Sequence, residues 1–238
     1  MARLAMVVFV ALLAATAAMA ADIVTVPTAN QLKAGEVDVA HYWIGTDLPP
    51  IQTPGGPLRA PTQLNFNTLY VGLTDRIEID AHEVKPVGGD IAIASSTIWN
   101  ATVLLLKEDK RNPNVVIGGR NLEGTSGPAG VKASWFISAA KTVLAPVGAP
   151  PSFSNPVLRL HLSVGTEDWT LFGEKRHDGI FGGVQAMVSP QFGLVVLHDS
   201  QDLITGITYT RNPKWPTIKG GTYGDHRWAG INYTFNVK

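Results

Sequence analysis

The chain has 238 residues, with 24 Gly, 16 Pro, 6 Trp and no Cys, and only 16% of its residues are charged, against a typical quarter. Lys+Arg and Asp+Glu both total 19, so the formal charge is zero. These figures exclude a dedicated nucleic-acid binder, a disulfide scaffold, thiolate metal sites and thiol catalysis.

Met1–Ala20 reads as a signal peptide. Arg3 supplies a short positive region, Leu4–Leu13 is continuously apolar, and Ala18-Met19-Ala20 is a small-x-small cleavage signal. The other reading, a retained anchor, has an apolar stretch short for a bilayer span. No later stretch offers eighteen consecutive apolar residues. Residues 21–238 are therefore expected to form one exported domain.

Twelve segments of period-two or apolar character follow, separated by turn residues. They are Gly35–Trp43, Thr62–Val71, Arg76–Val84, Thr97–Glu108, Asn114–Leu122, Val131–Thr142, Val157–Thr166, Ile180–Val188, Phe192–Asp199, Leu203–Tyr209, Thr217–Tyr223 and Trp228–Phe235. The alternation is clearest in three. Ile77, Ile79 and Ala81 alternate with Glu78, Asp80 and His82. Leu158, Leu160 and Leu162 alternate with Arg159, His161 and Ser163. Ala229, Ile231, Tyr233 and Phe235 alternate with Gly230, Asn232 and Thr234. Successive side chains of a strand point to opposite faces, so each segment has an apolar and a polar wall. Val131–Thr142 also fits a short helix through Trp135, Ala139 and Val143, and Thr102–Leu106 is nearly apolar throughout.

The links alternate in length. Those after the second, fourth, eighth and tenth segments are tight, whereas those after the first, third, fifth and seventh are longer. This is the asymmetry of bacterial outer-membrane barrels, and the Pro-rich link Ala145–Pro156 breaks it. Trp43, Trp99, Trp135, Trp169, Trp215 and Trp228 stand near segment ends or loops, as aromatic girdles require. The pattern predicts an all-β, antiparallel, up-and-down transmembrane β-barrel of about 12 strands in a Gram-negative-type outer membrane, with membrane lipid as a partner. Such a barrel is roughly 24 Å across its backbone. Its lumen would be lined by Asp38, Glu78, Asp80, His82, Arg120, Arg159, His161, Ser163 and Gln185, and Ile44–Pro61 is the best plug candidate.

Five stretches resemble the YjbH-like family of outer-membrane proteins linked to exopolysaccharide production. They are TVPTANQLKAGEVDVAHYW at Thr25–Trp43, GLTDRIEI at Gly72–Ile79, PNVVIGGRNLEG at Pro113–Gly124, RLHLSVGT at Arg159–Thr166 and GIFGGVQAMVSPQFGLVVLHDSQDLITGITY at Gly179–Tyr209. The resemblance implies a barrel, the outer membrane and a structural or passive role beside surface polysaccharide or its export apparatus, with no catalytic residues. This chain is shorter than the typical member.

Two other readings share the pattern. A soluble secreted β-sandwich that binds carbohydrate or a partner protein writes the same alternation. A remoter one is an outer-membrane lipid hydrolase using His161 and Ser163, which share one strand face, although no well-placed Asn follows Ser163. The six His residues show no metal-ligand spacing, and Gly182-Gly183 and Gly220-Gly221 lack the Lys and helix of a phosphate loop. No metal and no cofactor is expected.

Overall fold

The structure, a computed structural model, describes residues 22–23, 26–46, 50–90, 95–124, 133–146, 148–166, 169–171 and 174–237. The signal peptide expected at Met1–Ala20 lies outside them. Twelve strands form one closed antiparallel barrel. They are β1 (Glu36–Gly45), β2 (Gln63–Gly72), β3 (Ile77–Val87), β4 (Ser96–Leu106), β5 (Asn114–Arg120), β6 (Ser134–Leu144), β7 (Val157–Thr166), β8 (Gly179–Met187), β9 (Phe192–His198), β10 (Leu203–Thr210), β11 (Thr217–Tyr223) and β12 (His226–Asn236). Each pairs with its chain neighbours, and β12 pairs with β1 from Trp228↔Ile44 to Asn236↔Glu36. One closed sheet stands where a sandwich would have two stacked sheets, so that alternative falls.

Burial decides the faces. Along β7, His161 and Ser163 are buried while Leu160, Leu162 and Val164 are exposed. Along β12, Trp228, Gly230 and Asn232 turn inward while Ile231, Tyr233 and Phe235 turn outward. The helical reading around Trp135 fails for the same reason: β6 alternates, with Trp135 and Ile137 out and Phe136 and Ser138 in. The apolar run in β4 ends in a register shift between Leu104 and Leu106, and β6 has one between Thr142 and Leu144. The extra residue of a bulge breaks the alternation.

Trp43, Trp99 and Trp135 are exposed near the rim of the longer links, and Phe192, Tyr209, Tyr233 and Phe235 are exposed near the other rim. Trp215 is exposed in the link after β10. Between the rims the outer wall is largely aliphatic, as a transmembrane barrel requires. Trp228 departs from the girdle expectation. It is buried inside, with its indole N–H directed at the carbonyls of Thr205 (3.1 Å) and Thr222 (3.2 Å). The Trp169 side chain lies outside the described set.

The outward direction of Leu162 has a measurable consequence. Leu162→Arg places a cation at mid-strand on the apolar wall. It is expected to lower folding stability in phospholipid vesicles by about 2–4 kcal/mol, read by urea titration. An unchanged midpoint would mean that this face does not meet lipid.

Candidate functional site

The barrel interior has two zones. Near the longer links it holds an apolar core that includes Ile44, Phe66, Ile98, Leu197, Ile204 and Trp228, all buried. A wholly polar lumen was the expectation for a barrel. Instead, polar side chains concentrate toward the other rim, where Asp38, Glu78 and Asp80 are buried. A twelve-strand cylinder leaves an interior too wide for its own inward side chains to be ignored as filler, and here large apolar ones occupy one end.

The N-terminal segment fills much of the rest. Residues 26–34 precede β1 and run inside the barrel, with Val26, Thr28, Ala29 and Leu32 buried. Val26 belongs to the apolar core, and Asp22–Ile23 pairs antiparallel with Val26–Pro27, so the chain folds back on itself there. Polar tethers hold the segment to the wall. The Leu32 N–H donates to Glu78 Oε2 (2.8 Å) and the Ala34 N–H to Asp75 Oδ1 (3.1 Å). Arg159 Nε donates to Asn30 Oδ1 (3.0 Å), and Asn114 Nδ2 donates to the Ala29 carbonyl (3.2 Å). Gly72 gives the segment room: a Cβ there would stand 2.0 Å from the Lys33 carbonyl oxygen. The plug is thus this segment and not Ile44–Pro61. The described part of that link contains a short hairpin, Ile51–Thr53 with Gly56–Leu58, whose described side chains are exposed or half-exposed.

The nine sequence-derived lumen residues all lie on inward positions of β1, β3, β5, β7 and β8. Glu78, Asp80 and Arg120 converge with Thr28, Asn30 and Asn100 around a cavity of about 10 Å³, room for about one water. Asp80 stands 2.7 Å from His82 Nε2, and the His82 ring meets Tyr70 edge-on at 5.3 Å between centroids. Asp38 stands apart and accepts from Asn232 Nδ2 (2.8 Å) and the Thr234 hydroxyl. Gln185 is buried opposite Arg159 in register. His161 and Ser163 are not assembled as base and nucleophile. The Ser163 hydroxyl meets that of Ser138 at 2.6 Å, and both His161 and Ser163 face the packed interior, away from the apolar outer wall. The hydrolase arrangement therefore lacks both its contact and its substrate side.

Other functional groups were not legible beforehand. Glu108, in the link after β4, pairs with Arg159 Nη1 and accepts from the Thr142 N–H (2.8 Å). Burial opposes its ionisation, but the Arg159 and Thr142 contacts outweigh it and hold its carboxyl below the usual value. Arg159, which also donates to the Thr142 hydroxyl (3.0 Å), thereby joins four pieces of chain: β7, β6, the link after β4 and the N-terminal segment. No period marks residues 26–34, so alternation offered no signal for them.

A second closure comes from the link after β7. Arg176 is buried and its Nη1 donates to Asp202 Oδ2 (2.5 Å) and toward Asp199 (3.4 Å). The Tyr223 hydroxyl also donates to Asp199, and the His177 N–H donates to the Asp199 carbonyl (2.8 Å). These contacts pin the link to the turn between β9 and β10. Burial, then the charges of Arg120 and Arg176, hold the His177 imidazole well below its usual range. Asp199 and Asp202, acidic loop residues in the sequence, are spent on this clasp. Arg120 lies between the two closures: it lines the cavity beside Thr28 and Asn30, and its charge acts on His177.

No protein-family model matches the chain, and no curated protein matches it. Among solved structures, a KdgM porin aligns over 85% of this chain and 99% of its own, at 8% identity and a TM-score of 0.49. An outer membrane channel from Pseudomonas putida F1 aligns over 86% of this chain and 96% of its own, at 11% identity and a TM-score of 0.35. The architecture described above rests on the strand pairing of this chain itself.

The Glu108–Arg159 brace is expected to be acid-labile. The folded value of Glu108 is depressed, so its stabilisation is present above the unfolded glutamate pKa of about 4.3 and is lost as pH falls through the folded value. Glu108→Gln should flatten the stability profile of the folded protein between about pH 5 and pH 3. A wild-type profile with no more slope there than the variant would show that the pair contributes nothing.

Proposed function

We propose that the chain is an outer-membrane barrel with a structural or passive solute role, shut at rest by its own N-terminal segment. The observation that carries this is the outer wall, aliphatic between two rims of exposed aromatic residues, on a sheet with no open edge. In this reading the protein performs no chemistry. Its interior groups hold a plug, and passage follows when the plug yields. The five stretches that resemble YjbH-like proteins support a place beside surface polysaccharide or its export apparatus. A linear, neutral or weakly charged solute suits a lumen whose acids are already bound by groups of the wall or of the plug.

Export and fractionation test the membrane part. The full chain, expressed with its leader, should reach the outer-membrane fraction and change gel mobility on boiling in detergent. Recovery in the soluble periplasmic fraction without detergent would sink the reading.

Planar-bilayer recording tests the plug. Wild-type protein should be mostly silent. Gly72→Val adds bulk where a Cβ would stand 2.0 Å from the Lys33 carbonyl oxygen, and should displace the segment and give frequent openings. Steady, large conductance from the wild type, or silence from a folded Gly72→Val variant, would contradict a closed barrel held by residues 26–34.

A further inference from the structure

The outer wall of β1–β3 does not follow the apolar pattern of the rest. His41 of β1, Gln63, Asn65 and Asn67 of β2, and Glu83 and Lys85 of β3 occupy outward positions between inward neighbours such as Tyr42, Phe66 and Val84. Register makes them one patch: His41 opposes Asn67, Asn67 opposes Glu83, and Asn65 opposes Lys85. His41 Nδ1 lies 2.5 Å from Asn67 Oδ1, and Asn67 Nδ2 donates to Glu83 Oε2 at 2.7 Å. Gln63 Nε2 donates to Asn65 Oδ1.

Two indoles bound the patch. Trp43 opposes Asn65 and meets the His41 ring edge-on at 4.5 Å between centroids. Trp99 opposes Ala81, the outward residue next after Glu83 toward the opposite rim. The row below the patch is apolar again, with Val39, Leu69 and Ala81 in mutual register. A charged side chain on a lipid-facing wall costs about 2–4 kcal/mol at the bilayer midplane and about 0–1 near the interface. Six polar outward residues are therefore tolerable only at the level the two tryptophans mark. That level is on the side of the longer links, the external side of such barrels.

The wall thus has the profile of an amphiphile: polar groups above, an apolar row beneath, and indole faces at either side. We propose that this patch binds the sugar-phosphate headgroup of an outer-leaflet glycolipid, a proposal that rests on the membrane reading above. Indole rings present apolar faces to sugar rings. The amides and the Glu83 carboxylate offer donors and acceptors for sugar hydroxyls. Lys85 makes no ion pair with any of the described residues, and its ammonium matches a phosphate. The acyl chains continue onto Val39 and Leu69.

The test uses the folded full-length mature chain in neutral detergent, titrated with lipid A carrying only its inner-core sugars and followed by tryptophan fluorescence and native mass spectrometry. Saturable binding is expected. Lys85→Leu together with Asn67→Leu should weaken it about tenfold while leaving the boiling-dependent gel shift intact. Lys85→Ala alone, at an exposed position, should weaken it in the same direction and serves if the double variant does not fold. Phosphatidylglycerol at equal concentration should not compete. Equal affinity of the folded variants, equal competition by phosphatidylglycerol, or no saturable binding at all would overturn the site. A wild-type chain lacking the gel shift would instead overturn the membrane reading beneath it.

Discussion

The pairing of β12 with β1 is the contact on which the rest of the structure depends. A bilayer core offers no water to unpaired N–H and C=O groups, so a sheet can span it only if its last strand bonds to its first. Asn236↔Glu36 through Trp228↔Ile44 supply that seam. Residues nearly two hundred positions apart must meet, which makes closure a long-range event whose loop entropy is paid before any reward. The Asp38 carboxylate reinforces the seam from inside by accepting from Asn232 and Thr234 of β12. An inward carboxylate at that place pins the register of the two strands, because a slip of one residue would turn it outward.

Closure also creates an inside that must be filled. The apolar end of the lumen is filled by side chains in the manner of a soluble core, with Trp228 covering Gly206, where a Cβ would stand 2.5 Å from the indole. The other end is filled by backbone. A backbone segment inside a barrel carries its own donors and acceptors, and these need partners. Glu78, Asp75 and Asn114 supply them to residues 29–34. Of the buried acids of the lumen wall, Glu78 serves this segment, whereas Asp38 serves the seam and Asp80 meets His82 and Asn100.

The strands were legible because period two is written by burial on one face, whatever lies on the other. Val157–Thr166 and Thr217–Tyr223 have the same bounds in sequence and structure, and the remaining strands differ by a few residues at their ends. The direction of a face was less legible. In β1, Asp38 and His41 are both polar, yet three positions separate them, so they point to opposite sides of the wall. Alternation read as polar-in assigns Asp38 correctly and has no place for His41. Trp43 and Trp228 were equally good girdle residues on paper. Only the register, which places Gly206 beneath one of them, shows that Trp228 turns inward. Residues 26–34 were invisible for a further reason: a segment that bonds through its backbone leaves no side-chain period.

The two ends of the lumen differ in what their disruption costs. Withdrawing an apolar core side chain leaves a void that neither water nor protein fills well, and the loss is of the order of 2–5 kcal/mol for a large residue. Withdrawing the N-terminal segment leaves carboxylate, amide and guanidinium groups to water, which replaces their hydrogen bonds at small net cost, but it also uncovers the apolar neighbours of Val26, Ala29 and Leu32. The apolar end therefore resists disruption more than the tethered end, whose polar contacts water can replace. The Arg176 clasp covers the apolar end from the side of the longer links, where its buried guanidinium and the two aspartates raise the cost of opening further. Arg120 lines the cavity beside Thr28 and Asn30, and its charge also disfavours the protonated form of His177, so one wall residue bears on both segments.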